Sequence, residues 1–215
     1  MKIIMNKTKK IIGALSLLSL SVGAANAADF NGFALAVSAS ATGAIVDGSA
    51  TNGSTNGSAN LGADGIVPSI DASYRFGSAA GGLALGIEYV PGKVDLATGK
   101  SSDVDQSATF KVKNYYTIYA QPEYNLNADT ALFAKIGYTS ADVDVSSNTT
   151  LTSKPGNLEG WRYGAGLKSF VNKNTYIQAE ASITDFDKVS ATSASNSWSA
   201  DAKLVQGTIS IGYKF

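Results

Sequence analysis

Val205-Gln206-Gly207-Thr208-Ile209-Ser210-Ile211-Gly212-Tyr213-Lys214-Phe215 is the stretch on which the fold turns. Successive side chains of a β-strand point to opposite faces, so Val205, Gly207, Ile209, Ile211, Tyr213 and Phe215 share one side. Gln206, Thr208, Ser210, Gly212 and Lys214 share the other. One face is apolar and ends in two rings, while the other is polar or small. A helix would need the apolar residues three and four apart.

Seven further segments alternate in the same way. The first places Phe33, Leu35, Val37, Ala39 and Ala41 together. The second places Ile66, Pro68, Ile70, Ala72, Tyr74 and Phe76 against Ser69, Asp71, Ser73 and Arg75. Leu83, Leu85, Ile87 and Tyr89 stand against Ala84, Gly86 and Glu88. Val112, Asn114, Tyr116, Ile118, Ala120, Pro122 and Tyr124 stand against Lys113, Tyr115, Thr117, Tyr119, Gln121 and Glu123. The last three set Leu132, Ala134, Ile136 and Tyr138 against Phe133, Lys135 and Gly137; Trp161, Tyr163, Ala165 and Leu167 against Arg162, Gly164, Gly166 and Lys168; and Ile177, Ala179, Ala181 and Ile183 against Gln178, Glu180 and Ser182.

No apolar face carries a charge, whereas the opposite faces carry Asp71, Arg75, Glu88, Lys113, Glu123, Lys135, Arg162, Lys168, Glu180 and Lys214. A sheet facing lipid demands this segregation, because Lys or Arg at the bilayer midplane costs about 2–4 kcal/mol. A soluble β-sandwich also alternates, with its charged faces toward water. Two regularities favour the membrane. Connections alternate between long (43–65, 91–110, 140–158, 185–203) and short (77–82, 125–130, 171–174), the pattern of external loops and tight periplasmic turns. Aromatic residues also form two groups once strand direction is assigned: Tyr74, Phe76, Tyr124, Tyr213 and Phe215 at one end, Tyr89, Tyr116, Tyr138, Trp161 and Tyr163 at the other. Amphipathic rings gather in this way at the two membrane interfaces. The expected fold is all-β, an eight-stranded antiparallel up-and-down transmembrane β-barrel. Pro68 and Pro122 each remove a ladder donor, and both are placed near strand ends.

The N-terminus reads as an export signal. Lys2, Lys7, Lys9 and Lys10 precede an apolar run from Ile11 to Val22 and then Ala25-Asn26-Ala27. Twelve apolar residues fall short of the roughly 20 that a spanning helix needs, so cleavage after Ala27 is expected rather than anchoring. Residues 1–27 are the signal and 28–215 the barrel domain. Removing the signal changes 17 basic and 17 acidic residues to 13 and 17, a mildly acidic balance that argues against nucleic acid. Cysteine is absent, so stability rests on the sheet and its packing.

Ile209-Ser210-Ile211-Gly212-Tyr213-Lys214-Phe215 resembles the C-terminal signature of Gram-negative outer-membrane barrels. Tyr74-Arg75-Phe76 and Gly160-Trp161-Arg162-Tyr163-Gly164-Ala165-Gly166-Leu167 are similar to small barrels of the OmpA/OmpX type. The resemblance implies an integral outer-membrane protein recognised by the barrel-assembly machinery through Ile209, Ile211, Tyr213 and Phe215.

An eight-stranded barrel is just wide enough for side chains to fill it, so inward charges must satisfy one another. Asp71, Glu88, Glu123 and Glu180 balance Arg75, Lys135, Arg162 and Lys168, which predicts an interior ion-pair network: a packed polar plug, or alternatively a gate for a narrow porin-like channel. The sequence has no histidine, which excludes histidine-based hydrolysis, and neither catalysis nor a cofactor is expected. Residues 43–65, with the repeat Thr51-Asn52-Gly53-Ser54 and Thr55-Asn56-Gly57-Ser58, read as a flexible solvated loop. The N-x-S/T matches at Asn52, Asn56 and Asn148 read as chance. Three D-x-D pairs, Asp103 with Asp105, Asp142 with Asp144 and Asp185 with Asp187, stand at the expected outer rim. Each presents two carboxylates that suit a hard cation bridging to lipopolysaccharide phosphates, with Lys93, Lys100, Lys111 and Lys113 nearby, or else forms a solvated acidic strand end. The functional expectation is a monomeric envelope-structural and adhesin-like protein that meets outer-membrane lipid, lipopolysaccharide and host-surface ligands through four external loops.

Overall fold

The computed structural model describes residues 30–52, 55–100, 107–147, 157–193 and 196–215. They form nine strands: β1 (Gly32–Asn52), β2 (Thr55–Gly77), β3 (Gly81–Lys100), β4 (Ser107–Asn125), β5 (Thr130–Ser147), β6 (Asn157–Phe170), β7 (Thr175–Phe186), β8 (Val189–Ser193) and β9 (Asn196–Lys214). Neighbours pair antiparallel in chain order, β7 pairs with β9, and β9 pairs back onto β1. The sheet is therefore a closed eight-stranded up-and-down barrel. β8 is a short hairpin partner of β9 that stands above the end of β7, from Val189↔Ala200 to Ser193↔Asn196. Closure leaves no edge within the wall, which lipid requires because it offers no partner to backbone N–H or C=O groups.

Alternation in sequence becomes inside and outside. Leu35, Val37, Ile70, Leu85, Ile87, Ile118, Ile136, Leu167, Ile183, Ile209 and Ile211 point outward, and Arg75, Glu88, Glu123, Lys135, Arg162, Lys168 and Glu180 point inward and are buried. Both aromatic groups face outward as girdles. Tyr89 pairs with Tyr116 and Tyr138 with Trp161 at the outer level, the last two rings meeting edge-on at 5.7 Å. At the periplasmic level the Phe215 ring lies 5.7 Å from Phe33 and 5.1 Å from Tyr213.

The long connections depart from expectation. Residues 43–52 and 55–65 are paired strand rather than loop: β1 and β2 stay paired without a break from Gly32↔Arg75 to Asn52↔Thr55. β3 with β4 continues to Lys100↔Ser107, and β4 with β5 to Ala108↔Ser147. Once the wall fixes the register, each further pair adds hydrogen bonds without another nucleation cost, and the Gly, Ser, Ala, Thr and Asn of these stretches do nothing to stop it. The short turns, by contrast, stand where the sequence placed them, at 78–80, 126–129 and 171–174. Asn127 and Asn172 cap the second and third, each side-chain oxygen accepting two backbone N–H bonds.

Both prolines leave marks on the ladder. Pairing of β4 with β5 lapses between Ala120↔Ile136 and Glu123↔Phe133, around Pro122. Pro68 is not near a strand end but in the middle of β2, which runs far beyond it. There the pairing of β2 with β3 stops, covering only Ile70↔Tyr89 to Gly77↔Gly82.

Candidate functional site

The barrel interior holds the most constrained chemistry, arranged in three layers along the axis. At the periplasmic end Phe30, Ala34, Ala36, Ala131, Phe170 and Tyr176 form a buried apolar cluster. Phe170 meets Phe30 edge-on at 5.0 Å and Tyr176 at 5.5 Å. Phe30 precedes β1 and folds into the lumen, where the Arg75 guanidinium lies 5.0 Å from its ring.

Above this floor lie the charges, in two connected groups. Glu123 holds two cations, Arg75 Nε at 2.6 Å and Lys168 Nζ at 2.5 Å, and accepts a bond from Gln121 at 2.7 Å. Arg75 also donates to Asn31 and Asn125, at 3.1 and 3.0 Å. The second group centres on Arg162, which is fully buried. Its Nη1 meets Glu88 at 3.0 Å, its Nη2 meets Glu180 at 2.8 Å and its Nε donates to Ser182 at 3.2 Å. Lys135 reaches the other oxygen of Glu180 at 2.5 Å. Buried charges cost several kcal/mol each unless paired and hydrogen-bonded, and here nearly every arm of both guanidinium groups has a partner.

Asp71 differs from its expected role. It accepts a bond from the Tyr119 hydroxyl at 2.7 Å, with no cation within ion-pair distance among the described residues. The Tyr119 ring in turn lies 4.3 Å from Lys135 Nζ, so the phenol links Asp71 to the Arg162 group through a hydrogen bond on one side and a cation–π contact on the other. Asp71, Tyr119, Gln121, Lys168 and Glu180 line a cavity of about 10 Å³, the space of one water.

At the outer end the interior becomes apolar again. Val67, Val90, Tyr115, Ala141, Leu158, Phe186 and Leu204 form a buried ring with one member from each wall strand except β1. Neither apolar layer was read from sequence. Large inward rings are accommodated by inward glycines across the sheet, Tyr119 opposite Gly86, Phe133 opposite Gly166 and, in the periplasmic apolar layer, Tyr176 opposite Gly212. In each pair the ring takes the volume that a β-carbon on the glycine would fill.

Of the rim carboxylates, Asp103 and Asp105 lie outside the described residues, as do Asn148 and the side chain of Asp144. Asp142 accepts a bond from Asn114 at 2.6 Å, and Asp185 pairs with Lys203 at 3.5 Å on the exposed surface. Asp187 stands beyond β7, its backbone N–H bonded to Glu159 O at 2.7 Å. Among the described residues no three acidic side chains gather at one point. Asn52 and Asn56 lie in the β1–β2 ribbon, in the pair Thr51↔Asn56 and its neighbour Asn52↔Thr55.

A family model described as outer membrane protein beta-barrel domain matches residues 12–215. Among solved structures, the chain is similar to OprG from Pseudomonas aeruginosa, at 14% identity over 87% of this chain and 98% of that one, with a TM-score of 0.52. Neisserial surface protein A shows 16% identity over 85% and 97%, with a TM-score of 0.50. The outer membrane protease OmpT from Escherichia coli shows 8% identity over 86% and 97%, with a TM-score of 0.51. At these identities the likeness is one of fold. No curated protein matches the chain.

Proposed function

The chain belongs to the outer membrane β-barrel domain family and resides in the outer membrane, and from that premise we propose that it is a non-enzymatic, non-conducting scaffold whose work is done by the sheet it raises outside the membrane. The observation that carries this reading is the length of the β1–β2 ribbon. A tilted strand crosses the bilayer in about 9–11 residues, whereas β1 has 21 and β2 has 23. The excess of roughly ten residues per strand, at about 3.3 Å each, amounts to some 30 Å of paired ribbon beyond the wall. A paired ribbon offers a contact surface for host ligands or neighbouring envelope components, lipopolysaccharide among them, with less backbone to order on binding than an unpaired loop.

The three-layer interior supports the non-conducting half. Two buried apolar layers enclose the ionic one, so an ion would have to pass uncharged, apolar lining twice. Surface contact is tested by whole-cell binding to host surfaces for the intact protein and for a variant with residues 46–61 replaced by a two-residue turn. Loss of binding with normal surface levels is expected, and unchanged binding would refute the role. Planar-bilayer recording tests the interior: discrete channel openings from purified protein would favour the porin reading instead.

A further inference from the structure

We propose that Phe30-Asn31-Gly32 is a movable stopper for the periplasmic mouth of the barrel, hinged at Gly32, whose withdrawal opens the ionic layer to periplasmic water. The inference rests on the non-conducting reading above and deepens it, naming the part that closes one end.

Phe30 stands at the centre of the closure. Its ring meets Phe170 of β6 edge-on and the guanidinium of Arg75 of β2, each at 5.0 Å. In the closed ring β2 and β6 are four strands apart in either direction, so these two partners project from opposite walls. One side chain therefore spans the lumen. The wall supplies little other bulk at this level: Phe170 and Tyr176 are cross-strand neighbours on one side, and the remaining members of the floor are Ala34, Ala36 and Ala131. Phe30 alone in that cluster belongs to no strand. A floor completed by a residue from outside the wall can be opened without breaking the wall.

The attachments of the stopper are local. Phe30 and Asn31 lie before the first ladder pair, Gly32↔Arg75. Asn31 Oδ1 accepts from Arg75 Nη1 and Asn31 Nδ2 donates to Gly77 O, both at 3.1 Å. Gly32 has a φ of 122°, a conformation glycine adopts freely, and it turns the chain from the wall into the mouth. A β-carbon there would lie 3.3 Å from Phe215 O, so the hinge sits on the seam where β1 meets β9. Directly behind the ring, Arg75 pairs with Glu123 at 2.6 Å, and Glu123 holds Lys168. Water passing the mouth would find charged partners at once, while Arg75 would exchange an aromatic face for hydration. Segments held by few side-chain contacts outside the ladder occupy the low end of local stability, where opening is accessible without global unfolding.

The sequence has no cysteine, so a single thiol can report on the interior. Ser38 lines the small cavity one inward position above Ala36 of the floor, and Thr184 lies buried toward the outer end. Ser38→Cys and Thr184→Cys proteins, folded in nanodiscs and checked by heat-modifiable migration, are exposed to a trimethylammonium methanethiosulfonate and followed by mass spectrometry. With the stopper intact both thiols should react slowly. Adding Phe30→Ala should speed the reaction at Ser38→Cys by roughly a hundredfold or more, Phe30→Leu should restore most of the protection, and Thr184→Cys should stay slow throughout. Should Phe30→Ala not fold, Asn31→Ala, which keeps the ring and cuts its tether, carries the same comparison. Fast reaction of Ser38→Cys with the stopper intact, no gain on losing the ring, an equal gain at Thr184→Cys, or failure of both variants to fold would each overturn the proposal. Labelling reports the mouth alone, so its failure is distinct from channel openings by the parent in planar bilayers, which would sink the non-conducting reading.

Discussion

Gly86 stands directly opposite Tyr119 across β3 and β4, and a β-carbon on Gly86 would lie 2.5 Å from the phenol oxygen. The glycine thus makes room for the ring that joins Asp71 to Lys135. Gly86→Val would drive Tyr119 from its place, and because the Ala72 carbonyl is also within 2.9 Å of that β-carbon, backbone must move as well. Overpacking of this kind costs about 1–3 kcal/mol. Urea unfolding from lipid vesicles should show a lower midpoint, and Gly86→Val with Tyr119→Ala should recover part of the loss.

Arg162 is the hub of the interior, and its removal is expected to be the most damaging charge change. Arg162→Met leaves Glu88 without its cation while Glu180 keeps Lys135. Removing one partner of a buried pair costs about 3–5 kcal/mol. Adding Glu88→Gln to Arg162→Met should therefore be less destabilising than the single change, a reversal that vesicle-based unfolding would reveal. A single variant no worse than the double would contradict the pairing.

Outward positions should price arginine by depth. Ile118→Arg, within the lipid-facing band, is expected to cost about 2–4 kcal/mol, and Ile66→Arg, beyond the outer girdle, about 0–1 kcal/mol. Equal costs would mean that the girdles do not mark the membrane boundaries.

At the closing strand the backbone N–H of Phe215 donates to Phe33 O at 2.9 Å, and its ring packs on Phe33 and Tyr213. Deleting Phe215 removes both a wall bond and the proposed assembly signal. Spontaneous refolding into thin-lipid vesicles should slow only modestly, whereas assembly by the purified barrel-assembly machinery should fall much further. Parallel losses in the two assays would assign Phe215 a structural role alone.

The faces of the wall were legible in sequence because period-two alternation is local and lipid tolerates no charge, so Ile118 and Glu123 declare their sides without a partner. Contacts between distant residues were not. Arg162 takes Glu88, 74 positions away, together with Glu180, while Asp71 and Glu123, which the balance of charges offered equally, find other partners. Tyr119 and Phe133 sat among polar residues on the inward face, and only the glycines across the sheet explain how they fit. Residues 43–65 read as a loop because composition reports what a segment prefers alone, whereas the register handed up from Gly32↔Arg75 decides what it does in the barrel. At Asp185 the rim pairing fell to Lys203, a residue on another strand that spacing in the sequence gave no reason to select.

The Thr-Asn-Gly-Ser duplication lies at the very tip of the β1–β2 ribbon, around Asn52↔Thr55. One more copy of the four-residue unit would add two residues to each strand and preserve every pairing below it. Each gain or loss of a copy would thus raise or lower the tip by about 7 Å without disturbing the barrel. Copy number of the repeat would set the height of the ribbon tip independently of the wall below it.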